Sequence, residues 1–281
     1  MLYKIISFDQ NNEITKASHL LQEAKIILFD LDDTLYTPSP KLNEQIDYEE
    51  AFFILEYLHT KKIDSLKGKQ KKAFREKNNE RIKVLGENLR KIYGHGDNKT
   101  KDGKRINTSY LFQIHGIPKN IADGLIYKVF KNIDMTPFVI PNRKVVAYFK
   151  FLLNEGKTLG ILTGDSYRNA IRKLKALGFS KIEIKKYISY IFTNDLGKRE
   201  EFKKYNDLYA NPGDKTTGAV FEVIKDYLQI HPSQIVYVGD NKVTDVELPH
   251  KAGYKTIYIS NRGYIHPLAD ANIYSINSIL D

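Results

Sequence analysis

The stretch ILFDLDDTLY, residues 27–36, joins an apolar run to a cluster of acids. With Ile26 in front of it, the run to Phe29 lacks the apolar–polar alternation of a half-exposed strand and reads as one buried on both faces. It then delivers three carboxylates within four positions, Asp30, Asp32 and Asp33. Two carboxylates about 4 Å apart repel by roughly 4 kcal/mol at an effective dielectric of ~20, which corresponds to a pKa rise of about 3 units. Three resolutions are open: an acid is protonated, the acids splay into water, or a cation sits among them.

Outward from this strand two textures alternate. From about residue 137 to 281 a short apolar run, a turn and a helix-period segment recur: TLGILTGDS, YRNAIRKLKALGF, ISYIFTND, VFEVIKDYL, QIVYVGDN and YKTIYIS. Strands alternating with helices of this length predict a parallel sheet with helices on its faces, an α/β Rossmann-like core. In the segment after Asp165, Ile171, Leu174 and Leu177 share one helical face, with Ser166 placed to cap the start and Gly178 to follow the end. Val145, Val146, Phe149, Leu152 and Leu153 close with Gly156 in the same way.

Residues 37–136 differ, with few strand-like runs and amphipathic helical patterns such as EEAFFILEYLH and ERIKVLGENLRKIYG. The expected organisation is therefore a core of 1–36 with 137–281, interrupted by a helical domain at 37–136. That insertion carries the basic run KKIDSLKGKQKKAFREKNNERIK and, at 94–105, a segment rich in glycine and charge that reads as a loop. Near the start, YKIISF reads as an extra edge strand and ASHLLQEA as a short helix.

The 281 residues suffice for a real core, and 42% hydrophobic with 28% charged residues is ordinary for a soluble globular protein. No apolar run approaches the ~20 residues that cross a bilayer, and the N-terminus lacks the order of a signal peptide. With no cysteine, disulfides, thiolate chemistry and sulfur-based zinc sites are excluded, so a cytoplasmic protein is expected. A net charge of +10 and a pI near 9.3 favour anionic partners without choosing among them.

Several strand ends carry residues suited to phosphate and metal work. The first ends in Asp30 with Asp32 and Thr34 behind it, TLGIL in Thr163-Gly164-Asp165, and IVYV in Gly239-Asp240-Asn241, with Asp245 five residues after Asp240. In a parallel open sheet such ends converge on one crevice, where these folds bind ligands.

The chain resembles the haloacid dehalogenase superfamily of phosphohydrolases in four motifs spanning residues 25–260: Asp30-Leu31-Asp32-Asp33-Thr34, the strand ending in Thr163, Lys215 of GDKTTGAVF, and GDNKVTDVELPHKAG with Asp240 and Asp245. Lys215 precedes Asp240 by 25 residues, as in the family; Thr216 departs from the proline often found there. The resemblance implies that Asp30 is a nucleophile that takes up the phosphoryl group, while Asp32 protonates the leaving oxygen and then activates water. It also implies Mg2+ held by Asp30, the Asp32 carbonyl and Asp240, phosphoryl oxygens held by Thr163, the Gly164 N–H and Lys215, and Asp245 orienting Lys215 from behind. Asp32 separates phosphate chemistry from dehalogenation, because a dehalogenase has no leaving oxygen to protonate. An insertion after the first motif is similar to the helical cap of members acting on small phosphorylated metabolites, and FDLDDTLY, KIYG and LFQIHGI are similar to pyrimidine 5′-nucleotidase-like members.

The resemblance thus implies a magnesium-dependent phosphomonoesterase for a nucleoside monophosphate or sugar phosphate, with phosphomutase the alternative. Each residue also has a plainer reading. Asp30 and Asp32 could cap a turn, Thr163 could be an ordinary strand end, and Lys215 could be solvated with Lys198 in its place. Asp33 is expected to support the turn, and Phe52, Phe53 and Tyr57 to be core. The basic run reads as a solvated face, with nucleic-acid binding the lesser alternative.

Overall fold

The computed structural model describes residues 9–62, 65–93, 108–193, 209–210 and 215–280. The expected strand at residues 3–8, the 94–105 loop and Lys198 lie outside them. Chain contacts define two units, Met1–Pro38 with Val139–Asp281, and Ser39–Phe138.

Among the described residues the first unit is built on a parallel sheet of seven strands: β1 (Ile26–Phe29), β2 (Thr158–Leu162), β3 (Tyr190–Phe192), β4 (Tyr209–Ala210), β5 (Ile235–Gly239), β6 (Lys255–Ile259) and β7 (Ala271–Ile273). Their order is β4-β3-β2-β1-β5-β6-β7, so the first described strand in sequence lies at the centre. Its side chains serve both faces. Ile27 and Phe29 pack with Phe149 and Leu174 on one side, whereas Ile26 and Leu28 pack with Phe221 and Ile224 on the other. The three layers follow directly from the unbroken apolar run, since a strand covered on both sides has no solvent face to encode.

Helices α1 (Gln10–Glu23), α6 (Arg143–Asn154), α7 (Tyr167–Leu177), α8 (Lys181–Tyr187) and α9 (Ala219–Leu228) belong to this unit. The expected caps hold: Ser166 accepts from the Asn169 N–H at 3.3 Å, and Gly178 ends α7 at φ 118°, a conformation that disfavours any Cβ. The segment ASHLLQEA proves to be the second half of the fourteen-residue α1, whose Asp9 cap and N-terminal half lie in a polar stretch with little apolar signal.

In the second unit, α2 (Pro40–Thr60), α3 (Gly68–Tyr93), α4 (Thr108–Ile114) and α5 (Lys119–Asn132) enclose a core containing Phe52, Phe53, Ile82, Leu89, Phe112 and Val129. No strand occurs there among the described residues. Phe52 and Phe53 are buried, and Tyr57 packs against the same core. Part of the basic run is structural. Arg75 of α3 makes two 2.7 Å hydrogen bonds to Glu49 and lies over the Phe52 ring; beyond the run, Arg90 of the same helix bonds Asp47 at 2.6 Å. Among the described residues no helix is long and apolar enough to cross a membrane.

Candidate active site

Register brings the acidic strand ends together. Phe29 of β1 is level with Ile161 of β2 and Val238 of β5, and the Asp30 N–H continues the ladder to the Val238 carbonyl at 2.8 Å. Residues one or two steps beyond the strands therefore meet at the C-terminal edge of the sheet.

Lys215 is the centre of the first cluster. Its Nζ lies 2.7 Å from Asp30 Oδ1 and 2.7 Å from Asp245 Oδ1, with the ammonium 5.2 Å from the centre of the Tyr237 ring. Asp245 is fully buried in a π-helical segment, Lys242–Glu247. It also accepts from the Asn241 N–H at 3.0 Å and the Thr244 hydroxyl at 2.8 Å. A Cβ on Gly239 would lie 2.3 Å from Asp245 Oδ2, so the glycine before Asp240 is what lets this carboxylate pass beneath the strand. Burial would lower the Lys215 pKa, but Asp245 and Asp30 outweigh it and hold the ammonium above its ordinary value.

Asp240 completes the group. One carboxylate oxygen each from Asp30, Asp240 and Asp245 lie within 4.8 Å of one another. Burial raises Asp30 well above the usual carboxylate range, and Asp245 and Asp240 add to the rise against the pull of Lys215. Burial, with Asp245 and Asp33 nearby, pushes Asp240 up to about 7. Of the resolutions open at the outset, a cation is the one that suits this group: hard oxygen donors with surplus negative charge fit a divalent ion such as Mg2+. Because Asp245 is committed to Lys215, Thr244 and Asn241, Asp30 and Asp240 are the carboxylates that could hold it.

Asp32 stands apart from that group. Its Oδ2 accepts from Lys173 Nζ at 2.5 Å and its Oδ1 from the Tyr36 hydroxyl. Lys173 also reaches Asp165 Oδ2 at 2.5 Å. Burial raises Asp32, but the Lys173 ammonium and the hydrogen bonds from Lys173 and Tyr36 bring it below its ordinary value. Asp165, raised chiefly by burial and by Asp32 against the pull of Lys173, comes to about 6. The chain turns between the two catalytic candidates and the rest through Asp33, which is exposed and takes φ 55°, a backbone geometry aspartate tolerates.

Thr163 is buried just past β2, where its N–H donates to the Phe192 carbonyl at 3.0 Å and its Oγ1 accepts from the Asp165 N–H at 3.2 Å. Gly164 is exposed, with nothing within 4 Å of where a Cβ would be. Gly164 lies two residues before Ser166, the cap of α7. The sequence reading passed over Lys173, Tyr36 and the role of Asp165. A signal for Lys173 existed: with Ala170, Leu174 and Leu177 it falls at i, i+3, i+4 and i+7, a charge inside an apolar stripe.

Acids from the ends of β1 and β5 and the buried Lys215, from the turn that precedes α9, thus gather at one edge of a three-layer α/β fold. The family model described as haloacid dehalogenase-like hydrolase matches residues 24–253, and the chain belongs to that family. Among solved structures it is similar to a protein described as a β-phosphoglucomutase from Thermotoga maritima, at 16% identity and TM-score 0.50, over 91% of this chain and 96% of that one. A HAD phosphatase from Thermococcus onnurineus aligns at 17% identity and TM-score 0.48, over 91% and 95%. A 2-haloacid dehalogenase from Pseudomonas syringae aligns at 18% and 0.45, over 91% and 96%. No curated protein matches the sequence.

Proposed function

We propose that the chain is a magnesium-dependent phosphomonoester hydrolase acting on a small phosphorylated metabolite. The observation that carries this is Lys215 bridging Asp30 and Asp245 with the Asp240 carboxylate alongside. Asp30 is the nucleophile. Its carboxylate oxygen bonds to phosphorus as the P–O bond to the leaving group breaks, and the leaving oxygen takes the bond's electron pair together with a proton from Asp32. Water, giving its proton back to Asp32, then cleaves the aspartyl phosphate to free phosphate and Asp30.

Lys215 neutralises charge on the transferring group, Asp245 holds Lys215 in place, and Thr163 and the Gly164 N–H receive phosphoryl oxygens. Asp30, the Asp32 carbonyl and Asp240 would hold Mg2+, which when bound supplies charge neutralisation at the phosphoryl oxygens. The inserted helical unit fits a substrate-selecting cap by its place after the first motif, and a nucleoside monophosphate or sugar phosphate fits an enzyme of this kind.

The test is hydrolysis of 4-nitrophenyl phosphate with Mg2+, with EDTA, and by Asp30→Asn with Mg2+. Activity is expected in the first condition alone. Undiminished turnover by Asp30→Asn removes the nucleophile, and release of an isomerised sugar phosphate in place of free phosphate makes the enzyme a mutase.

A further inference from the structure

The function proposed above gives no role to Lys173 or Asp165, yet Lys173 places a charged side chain in the α7 stripe that packs on the sheet. Lys173 is only 6% exposed, Asp165 13% and Asp32 36%. Burying an ammonium costs several kcal/mol, and exchanging a buried ion pair for well-packed apolar groups is often neutral or stabilising. A leucine at 173 would continue the Ala170, Leu174, Leu177 stripe without that cost. Stability alone therefore gives a weak reason for this lysine.

Geometry gives a stronger one. Both Asp32 oxygens are fixed, Oδ2 by Lys173 and Oδ1 by the Tyr36 hydroxyl, so the plane of the carboxyl group is set. Lys173 is itself held from the opposite side by Asp165. Asp165 is anchored in turn, since its N–H donates to Thr163 Oγ1 at 3.2 Å. The chain of contacts Thr163–Asp165–Lys173–Asp32 thus ties the loop after β2 to the loop after β1. Misplacing a catalytic group by about 1 Å can cost ~10²-fold in rate.

Resting on the phosphohydrolase reading above, we propose that Lys173, braced by Asp165, is a positioning residue that aims the Asp32 carboxyl at the leaving-group oxygen. Lys173 touches neither phosphorus nor the leaving group. The Lys173 ammonium also favours the ionised carboxylate; its orienting effect outweighs that pull and is felt most where the leaving oxygen most needs a proton.

The experiment compares kcat/KM for 4-nitrophenyl phosphate, whose leaving group departs without protonation, and for phenyl phosphate, which gains far more from it. kcat/KM reports events up to formation of the aspartyl phosphate, so the later hydrolysis step does not mask the difference. The enzymes are wild type, Asp32→Asn, Lys173→Met, and Lys173→Met with Asp165→Asn, the last sparing the fold an unpaired buried carboxylate. Thermal unfolding and inhibition by inorganic phosphate serve as measures of fold and of phosphate binding.

The Lys173 variants are expected to lose at least about tenfold more on phenyl phosphate than on 4-nitrophenyl phosphate, in the same direction as Asp32→Asn. Their inhibition by phosphate is expected to stay within about twofold of wild type. Equal losses on both substrates, or none, while Asp32→Asn discriminates, overturn the role of Lys173 and leave the phosphohydrolase reading intact. If Asp32→Asn itself fails to discriminate, the acid role of Asp32 falls and this inference with it.

Discussion

Two buried lysines stand at the C-terminal edge of the sheet, each gripped by two carboxylates, and they differ in the charge left over. Around Lys215 are Asp30, Asp245 and the neighbouring Asp240, three carboxylates to one ammonium. Around Lys173 are Asp32 and Asp165, with the Tyr36 hydroxyl as an added donor. The outcomes diverge accordingly. In the Lys173 cluster Asp32 falls below its ordinary pKa while Asp165 rises to about 6, whereas Asp30 and Asp240 both remain above theirs despite Lys215. More negative charge is thus left over around Lys215, with three carboxylates to one ammonium, than around Lys173, with two to one. In the function proposed above, the first cluster receives the cation and the phosphoryl group and the second braces Asp32, so the two lysines divide the labour.

The sharpest way to break this division is to remove each ammonium in turn. Lys215→Met should lower kcat/KM for 4-nitrophenyl phosphate by about 10²–10³-fold, the usual cost of one charge-stabilising donor. The double variant Lys173→Met, Asp165→Asn should lose much less on that substrate. Steady-state kinetics on folded protein decides it, and equal losses would merge the two clusters into one function.

Gly239→Ala probes the packing beneath the first cluster. Its Cβ would meet the Asp245 carboxylate at 2.3 Å, so β5 or Asp245 has to move. A destabilisation of about 1–3 kcal/mol is expected in urea unfolding, accompanied by loss of activity as Lys215 loses its support. An alanine accommodated without change in either would show that Asp245 is not confined.

Glu50 of the helical unit supplies a contrast, a carboxyl raised by burial to about 8, against which a hydrogen bond with Thr108 is insufficient. Between the ordinary value of 4.5 and about 8 the folded protein keeps a proton that the unfolded chain has released. Stability from this group is therefore fully present below about 4.5 and is lost as pH rises to about 8. Glu50→Gln should exceed wild type in stability at pH 8 by on the order of 3 kcal/mol, with the advantage fading toward pH 4. Thermal unfolding across pH checks it; parallel curves would mean that Glu50 is not desolvated.

What could be read in advance follows from the range of the physics involved. The central strand, α7 with its Ser166 cap and Gly178 stop, and the two aromatic core residues Phe52 and Phe53 are set by local periodicity and turn chemistry, which a linear sequence displays. Short edge elements were less visible. β7 (Ala271–Ile273) is three residues long, and the π-helical turn at Lys242–Glu247 carries Asp245 to a position beneath Gly239 that depends on the folded sheet. Motif spacing marked Asp30, Lys215, Asp240 and Asp245. Lys173 had no motif, because its partners Asp32 and Asp165 come from two other loops and the pairing exists only after the sheet forms.

The most direct test of the account is calorimetric titration of Mg2+ into wild type, Asp240→Asn and Asp165→Asn. Removing a carboxylate from the overcharged cluster should weaken binding by at least about tenfold, while Asp165→Asn, which alters only the brace, should bind as wild type does. Mg2+ binding equally well to Asp240→Asn, or weakened just as much by Asp165→Asn, would contradict the claim that the surplus charge around Lys215 is the cation's place.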